Sequence, residues 1–163
     1  MLVYHGSNIL VKKPEIRRPN RNLDFGIGFY TTANIEQAQS FSQIVFNRRG
    51  GSPIVSAYDF DFEAAKNTAK IKVFETASEE WFDFVCDKRM AKYVGDEYDI
   101  IIGPVANDTV YITFIGYMAG ATSRSDALNQ LKVRKLYNQI AFCSEKALNY
   151  LKFKGCEEAG QYD

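Results

Sequence analysis

The residues with the clearest chemical potential stand near the start of the chain. The only histidine, His5, is followed at once by Gly6 and Ser7, and the three come directly after a short β-prone run. An imidazole and a hydroxyl can each hydrogen-bond a ligand, and glycine lets its backbone groups approach a ligand closely. The tripeptide is therefore either a plain turn at a strand end or one part of a binding site.

A second candidate is the stretch Asp24–Asn34, which reads DFGIGFYTTAN. A dinucleotide-binding loop needs G-x-G-x-x-G between a strand and a helix, but Thr31 occupies the place of the third glycine. A P-loop is excluded as well, because no Gly-Lys-Ser/Thr follows. Two interpretations remain. The stretch is a glycine-rich turn that leads into an edge strand with Phe29 and Tyr30 in the core, or it forms part of a different pocket.

The composition narrows the class of protein further. With one histidine and three widely separated cysteines (Cys86, Cys143 and Cys156), the chain lacks the ligand spacing of a zinc site, and we expect no metal. The start MLVYHGSN lacks the pattern of a signal peptide, and no segment approaches the roughly 18 apolar residues of a membrane span. We therefore expect a cytoplasmic protein with no membrane partner.

The charge pattern is uneven although the net charge is zero. Zero net charge argues against broad nonspecific binding to nucleic acid, which depends on neutralising phosphates. Segment 12–21 nevertheless concentrates five basic residues: Lys12, Lys13, Arg17, Arg18 and Arg21. This basic segment is either a solvated loop or a local rim that binds phosphates or a nucleic acid.

The elements that must position these residues follow from hydrophobic periodicity and capping signals. Strands are predicted at 2–4, 28–31, 54–60, 71–74, 98–102, 139–143 and 151–153, and helices at 34–46, 78–86, 110–120, 125–135 and 144–150. Their irregular spacing favours an α+β fold over a doubly wound sheet, with the apolar strand 98–102 at its centre. We predict a single domain over residues 1–153 and a polar C-terminal tail over 154–163.

His5-Gly6-Ser7 and the later G-x-G-x-Y run together resemble the ADP-ribosyltransferase superfamily, in its diphtheria-toxin and poly(ADP-ribose) polymerase branch. That branch carries a second aromatic residue eleven positions after the tyrosine, and counting from Tyr30 reaches Phe41. The chain is also similar to a bacterial family of short uncharacterised domains with YHGS, DFGxGFYTT, YDIIIGPVAND and Gln-Ile-x-Phe. The resemblance spans residues 1–153.

The resemblance implies a split β-sandwich of two small sheets with flanking helices, and NAD⁺ as co-substrate in the cleft between the sheets. Tyr30 and Phe41 would enclose the cationic nicotinamide ring, Gly6 would pair with its carboxamide, and His5 would bind a ribose hydroxyl, with Ser7 assisting. The glycines would let the strand and the cofactor lie close together. The cofactor-binding residues implied in this way are His5, Gly6, Ser7, Gly28, Tyr30, Thr31 and Phe41.

The third position of the motif departs from the family. Members usually place a glutamate there, on a late strand, whereas this chain has Gln139, so the implied catalytic set is His5, Tyr30 and Gln139. A second departure is Ala38, which stands where the polymerases have a serine that holds the carboxamide. Either Gln139 suffices for mono-ADP-ribosylation, alone or with help from another carboxylate, or the fold has become a binding module.

Asn107 and Asp108 follow the strand at 98–102, and Asp108 is the candidate helper carboxylate. An Asx turn or a helix N-cap is an equally good interpretation of this pair.

The resemblance implies a mono-ADP-ribosyltransferase that transfers ADP-ribose from NAD⁺ to a protein or nucleic-acid acceptor. Compact members of the superfamily often resemble toxins, so a role in a toxin–antitoxin or phage-defence system, with an antitoxin partner, is part of the same expectation. The alternative is a catalytically weak module that binds NAD⁺ or ADP-ribose, or another protein.

Overall fold

The computed structural model describes residues 1–18, 22–90, 98–105, 108–132 and 138–158 of the chain. Within these ranges the fold is α+β, with one mixed seven-stranded sheet and six helices. The strands are β1 Leu2–Ser7, β2 Phe29–Thr32, β3 Ile54–Phe60, β4 Ile71–Val73, β5 Ile100–Pro104, β6 Asn138–Phe142 and β7 Leu151–Glu158. The helices are α1 Ile35–Arg49, α2 Phe62–Thr68, α3 Glu79–Arg89, α4 Asp108–Met118, α5 Arg124–Lys132 and α6 Glu145–Leu148.

The strand order is β4-β5-β6-β2-β1-β3-β7, and every pairing is antiparallel except β4 with β5. The sheet has a weakly paired boundary between β1 and β2, which we call the seam. β1 pairs with β3 through six successive residue pairs, and β2 pairs with β6 through four. In contrast, β1 and β2 are joined through the single pair Tyr4 and Thr32. The strands on either side of this seam form two groups, β4-β5-β6-β2 and β1-β3-β7.

Two predictions about the sheet need correction. The apolar strand predicted at the centre, β5, is second from the edge and begins at Ile100, because β6, β2, β1 and β3 continue the sheet beyond it. The strand predicted to end at residue 153 continues to Glu158 along β3, so residues 154–158 of the predicted tail belong to β7. The described strands are hydrogen-bonded into one mixed sheet, and the two small sheets of a split β-sandwich stay a prediction.

Opposite faces of the sheet bury different clusters, and the register assigns the side chains to them. One face carries Tyr4, Gly6, Tyr30, Thr32, Gln139 and Ala141, which we call the Tyr30 face. It is covered by α1 near β1 and by a core with residues from α3, α4 and α5. The other carries Val3, His5, Phe29, Ile140 and Phe142, which we call the His5 face. Residues from α2 and α6 pack on that face.

Local capping signals determine where several helices begin. Asn34, Ser78 and Ser144 each accept a hydrogen bond from a backbone N–H of the first turn, as expected from their positions before the predicted helices. Helix α2 has the same device in Asp61 but was not predicted. In the described part of the chain, none of the helices has both the length and the apolar character that a membrane span requires.

Candidate functional site

The sheet order brings together three residues that are far apart in the sequence. His5 lies on β1, Tyr30 on β2 and Gln139 on β6, and these three strands are neighbours in the order β6-β2-β1. Tyr30 lies opposite Ala141 on β6, and Gln139 lies opposite Thr32 on β2, so both side chains belong to the Tyr30 face. His5 belongs by register to the other face, and its contact with β2 therefore needs a separate explanation.

The seam between β1 and β2 provides that explanation. Next to the pair Tyr4 and Thr32, the backbone carbonyl of Tyr30 lies 2.7 Å from Nδ1 of His5. A carbonyl oxygen only accepts hydrogen bonds, so Nδ1 must carry the proton in this contact. In the neutral ring, Nε2 then has a lone pair available as an acceptor. The His5 ring also packs on Phe29, with the ring centroids 4.4 Å apart.

The environment of His5 favours the neutral imidazole. Burial lowers the pKa of His5 below its usual value of 6.5, and the hydrogen bond to the Tyr30 carbonyl opposes part of that shift. A lowered pKa means that the unfolded chain takes up this proton first as the pH falls. The contribution of His5 to stability is therefore complete above about pH 6.5 and is lost as the pH falls to the pKa of the folded state.

We expect the imidazole proton resonances of His5 to titrate with a midpoint below 6.5 in an NMR experiment. Assignment is direct because the chain has a single histidine. The variant His5→Asn should lose less stability than the wild type when the pH is lowered from about 7 to about 5, because it has no imidazole to protonate. A titration midpoint at or above 6.5 would show that desolvation of the ring does not outweigh its hydrogen bond to the Tyr30 carbonyl.

The hydroxyl of Tyr30 is held inside the protein. It donates to the carbonyl of Gly26 at 2.7 Å and accepts from the backbone N–H of Phe25 at 3.1 Å. Burial raises the pKa of Tyr30 well above its usual value, and the nearby Cys143 and Asp24 contribute to the same shift. The phenol thus remains protonated near neutral pH and does not supply a base there.

Gln139 contacts a buried ion pair that sequence analysis missed. Its Nε2 donates to Oδ2 of Asp24 at 3.3 Å, while Arg89 at the end of α3 binds Oδ1 of Asp24 through Nε, at 2.8 Å, and through a terminal nitrogen. The side chains of Asp24 and Arg89 are only 7% and 13% exposed. Asp24 begins the stretch DFGIGFYTTAN, but nothing in the spacing of the sequence points to its partner, 65 residues away.

Arg89 is also packed between aromatic side chains of α4. Its guanidinium carbon lies 4.7 Å from the ring centroid of Tyr111 and 5.7 Å from that of Phe114. A cation against aromatic faces gains roughly 0.5–2 kcal/mol where water is excluded. The position of Asp24 beside Gln139 is therefore stabilised from α3 and α4 together.

The two glycines that were predicted to bind the cofactor, Gly6 and Gly28, lie directly against backbone atoms of the protein. A Cβ atom on Gly6 would overlap the carbonyl oxygen of Ala38 and lie 2.9 Å from the backbone nitrogen of Ser42, so α1 passes directly over this position. A Cβ atom on Gly28 would lie 2.9 Å from the carbonyl oxygen of Phe142. Close packing of α1 and β6 is by itself a sufficient reason for glycine at these two positions.

The remaining predicted residues lie in different surroundings. Thr31 is buried, and its hydroxyl donates to the carbonyl of Ile140 at 3.3 Å, so its side chain is used within the sheet. Ser7 is half-buried opposite Ile54. Phe41 is 45% exposed on α1, and no ring contact between Phe41 and Tyr30 occurs among the described residues. The two aromatic residues that were predicted to enclose a ligand ring are thus not packed on each other.

Some predictions fall outside the described residues. Asn107 lies outside them, and although Asp108 begins α4, its side chain is not described, so the helper role of this pair stays a prediction. Arg21 of the basic segment also lies outside, whereas Lys12, Lys13 and Arg17 are exposed. Across the described ranges, no group of three His, Cys, Asp or Glu side chains is arranged to hold a metal ion.

Comparison with known proteins gives one match. A family model described as "Protein of unknown function (DUF3990)" matches residues 1–153. No curated protein and no solved structure matches the chain.

Proposed function

The chain belongs to the DUF3990 family, whose description states no function, and we propose from its site that it is an NAD-dependent mono-ADP-ribosyltransferase. One observation carries the proposal. The three residues of the motif that the sequence resembles, His5, Tyr30 and Gln139, stand on the three neighbouring strands β1, β2 and β6, beside the seam of the sheet. Neighbouring strands can bring residues from distant parts of a chain into one binding cleft.

The fold supports the proposal at the seam. Tyr4 and Thr32 form the single backbone pair between β1 and β2, and the His5 side chain adds one hydrogen bond to the Tyr30 carbonyl. With so few links, the strand groups β4-β5-β6-β2 and β1-β3-β7 can diverge beside these residues. We take these groups to be the two splayed sheets of the split β-sandwich that the resemblance implies. NAD⁺ would bind where they separate.

The nicotinamide end of NAD⁺ would lie on the Tyr30 face. Its ring is cationic, and a cation gains roughly 0.5–2 kcal/mol from each desolvated aromatic face. Tyr30 supplies a ring whose hydroxyl is already anchored to Gly26, so little conformational freedom is lost on binding. Phe41, exposed on the neighbouring helix α1, would supply the second face.

His5 and Gln139 would bind ribose hydroxyls. The Nε2 lone pair of neutral His5 can accept a hydrogen bond from a hydroxyl, and Oε1 of Gln139 can accept another. In the reaction, the bond between ribose C1′ and the nicotinamide nitrogen breaks, and its electron pair leaves with the ring, which becomes neutral. The sugar gains oxocarbenium character, a nucleophile of the acceptor attacks C1′, and that nucleophile loses a proton. A protein or a nucleic acid would serve as the acceptor, and an antitoxin remains the partner expected from the resemblance.

A second candidate function rests on the neutral side chain at position 139. A neutral hydrogen bond contributes about 1 kcal/mol and a charged one about 1.5–3, so Gln139 stabilises a cationic sugar less than glutamate would. The Asp24 carboxylate next to it is paired with Arg89. On this ground the alternative is a domain that binds NAD⁺ or ADP-ribose and turns it over poorly.

The proposal is tested by incubating the protein with labelled NAD⁺ and a cell extract as the source of acceptors. We expect transfer of the label and release of nicotinamide by the wild type, and loss of both in Tyr30→Ala. The matched control is Tyr30→Phe, which keeps the ring and should retain turnover within about tenfold, since it loses only hydrogen bonds of the hydroxyl.

A pair of variants at His5 separates its structural role from ligand binding. The amide N–H of His5→Asn can still donate to the Tyr30 carbonyl but offers no acceptor at the place of Nε2, so NAD⁺ affinity should fall about 2- to 10-fold while the fold is kept. His5→Gln places an acceptor near Nε2 and should bind better than His5→Asn. Tight binding without turnover for any acceptor would favour the binding module, and absence of both would refute the proposal.

A further inference from the structure

We propose that Asp24 is the positioning residue of this site and that it acts through Gln139; this inference rests on the proposed function. The three side chains Asp24, Arg89 and Gln139 form one hydrogen-bonded group on the Tyr30 face. Within this group the two oxygens of Asp24 meet different side chains: Oδ1 binds Arg89, and Oδ2 accepts from Gln139 at 3.3 Å.

The contact determines which end of the Gln139 amide is presented to a ligand. An ionised carboxylate only accepts hydrogen bonds, so the amide group that faces Asp24 must be the donor, Nε2. Oε1 then points away from Asp24, and among the described residues it has no hydrogen-bond partner. A sugar hydroxyl would therefore meet an acceptor. Without Asp24 either end of the amide could face the ligand.

The carboxylate also affects the strength of that acceptor. A hydrogen bond from Nε2 to a negative oxygen polarises the amide and increases the electron density on Oε1. Part of the negative charge that a glutamate would place directly at the ribose thus acts through Gln139. Arg89 binds Oδ1, whereas the amide donates to the other oxygen, Oδ2.

The test exchanges the carboxylate at position 24 and the amide at position 139. The variants are Asp24→Asn, Gln139→Glu and the double variant D24N/Q139E, each compared with the wild type by NAD⁺ turnover and by melting temperature. Asp24→Asn should lower kcat about tenfold with a smaller change in KM, because the orientation of the amide matters most when charge develops on the ribose.

Gln139→Glu should have a lower melting temperature than the wild type, and the difference should be larger at about pH 8 than at about pH 5. Two carboxylates would then face each other, and a proton taken up in acid relieves their repulsion.

The double variant keeps one carboxylate and one amide with their places exchanged, and its net charge equals that of the wild type. We expect it to recover the melting temperature lost by Gln139→Glu and to reach a kcat at or above that of the wild type. A wild-type kcat in folded Asp24→Asn, or a Gln139→Glu variant as stable as the wild type at about pH 8, would overturn the inference. A wild type that neither binds nor turns over NAD⁺ refutes the proposed function, and this inference with it, whereas the first two outcomes refute the inference alone.

Discussion

The variant Arg89→Met is expected to lower the free energy of unfolding by about 3–5 kcal/mol, because it removes the guanidinium that is paired with the buried Asp24 carboxylate. Methionine retains an unbranched apolar stem that can pack against Tyr111 and Phe114, so loss of packing is a minor part of the change. Urea unfolding followed by tryptophan fluorescence measures the effect, since Trp81 is fully buried on the same helix.

The matched control is Arg124→Met. Arg124 also pairs with aspartate and glutamate, Asp83 and Glu79, but its side chain is 38% exposed, and exposed ion pairs contribute little. Its unfolding curve should therefore lie much closer to that of the wild type. In the double variant D24N/R89M, the uncompensated charge is absent, and part of the lost stability should return. Equal effects of Arg89→Met and Arg124→Met would show that burial of the Asp24 pair does not matter.

Local elements of this fold could be predicted because their causes are local. A side chain such as Asn34 or Ser78 binds the first turn of its own helix, and the apolar spacing that follows is visible in the sequence. Helix α2 escaped prediction because it has two turns and buries only Ala65, so it leaves almost no periodic pattern. The predicted central position of β5 was wrong for a related reason. Apolar composition indicates that a strand is buried, but a strand near the edge is also buried when helices cover both of its faces.

Among the residues of the candidate site, the sequence pointed only to those that belong to a motif. The resemblance named His5, Tyr30 and Gln139, and the sheet order makes their strands neighbours. The pairing of Asp24 with Arg89 joins a turn before β2 to the end of α3, and no spacing rule connects such positions. From the sequence, glutamine at position 139 indicates the loss of a charge, whereas the structure places the Asp24 carboxylate beside it.

The glycines show how one observation can have two causes. A glycine next to a histidine in a binding motif suggests close approach of a ligand, whereas Gly6 is required by the close approach of α1. The two causes are compatible, because α1 also carries Phe41, and the depth at which the helix packs on β1 sets the position of that ring. If the protein binds NAD⁺ as proposed, Gly6 would affect that binding without touching NAD⁺.

This argument leads to a prediction for Gly6→Ala. The added methyl group would overlap the carbonyl oxygen of Ala38, which belongs to the helix backbone and cannot rotate away, so α1 must shift. We expect a loss of about 3 kcal/mol in the free energy of unfolding, together with weaker NAD⁺ binding because Phe41 moves with the helix. The matched control is Gly155→Ala on β7, where the methyl group would meet no atom within 4 Å.

Gly155→Ala should keep the stability of the wild type or raise it by up to about 1 kcal/mol, since alanine loses less conformational freedom than glycine on folding. Opposite signs for two Gly→Ala changes in strands of the same sheet would separate steric contact from backbone entropy. If Gly6→Ala were as stable as Gly155→Ala, α1 would not pack on β1 at Gly6, and the position of Phe41 beside the site would lose its support. If Gly6→Ala lost stability but bound NAD⁺ normally, the helix would pack as described while Phe41 lay outside the nicotinamide pocket.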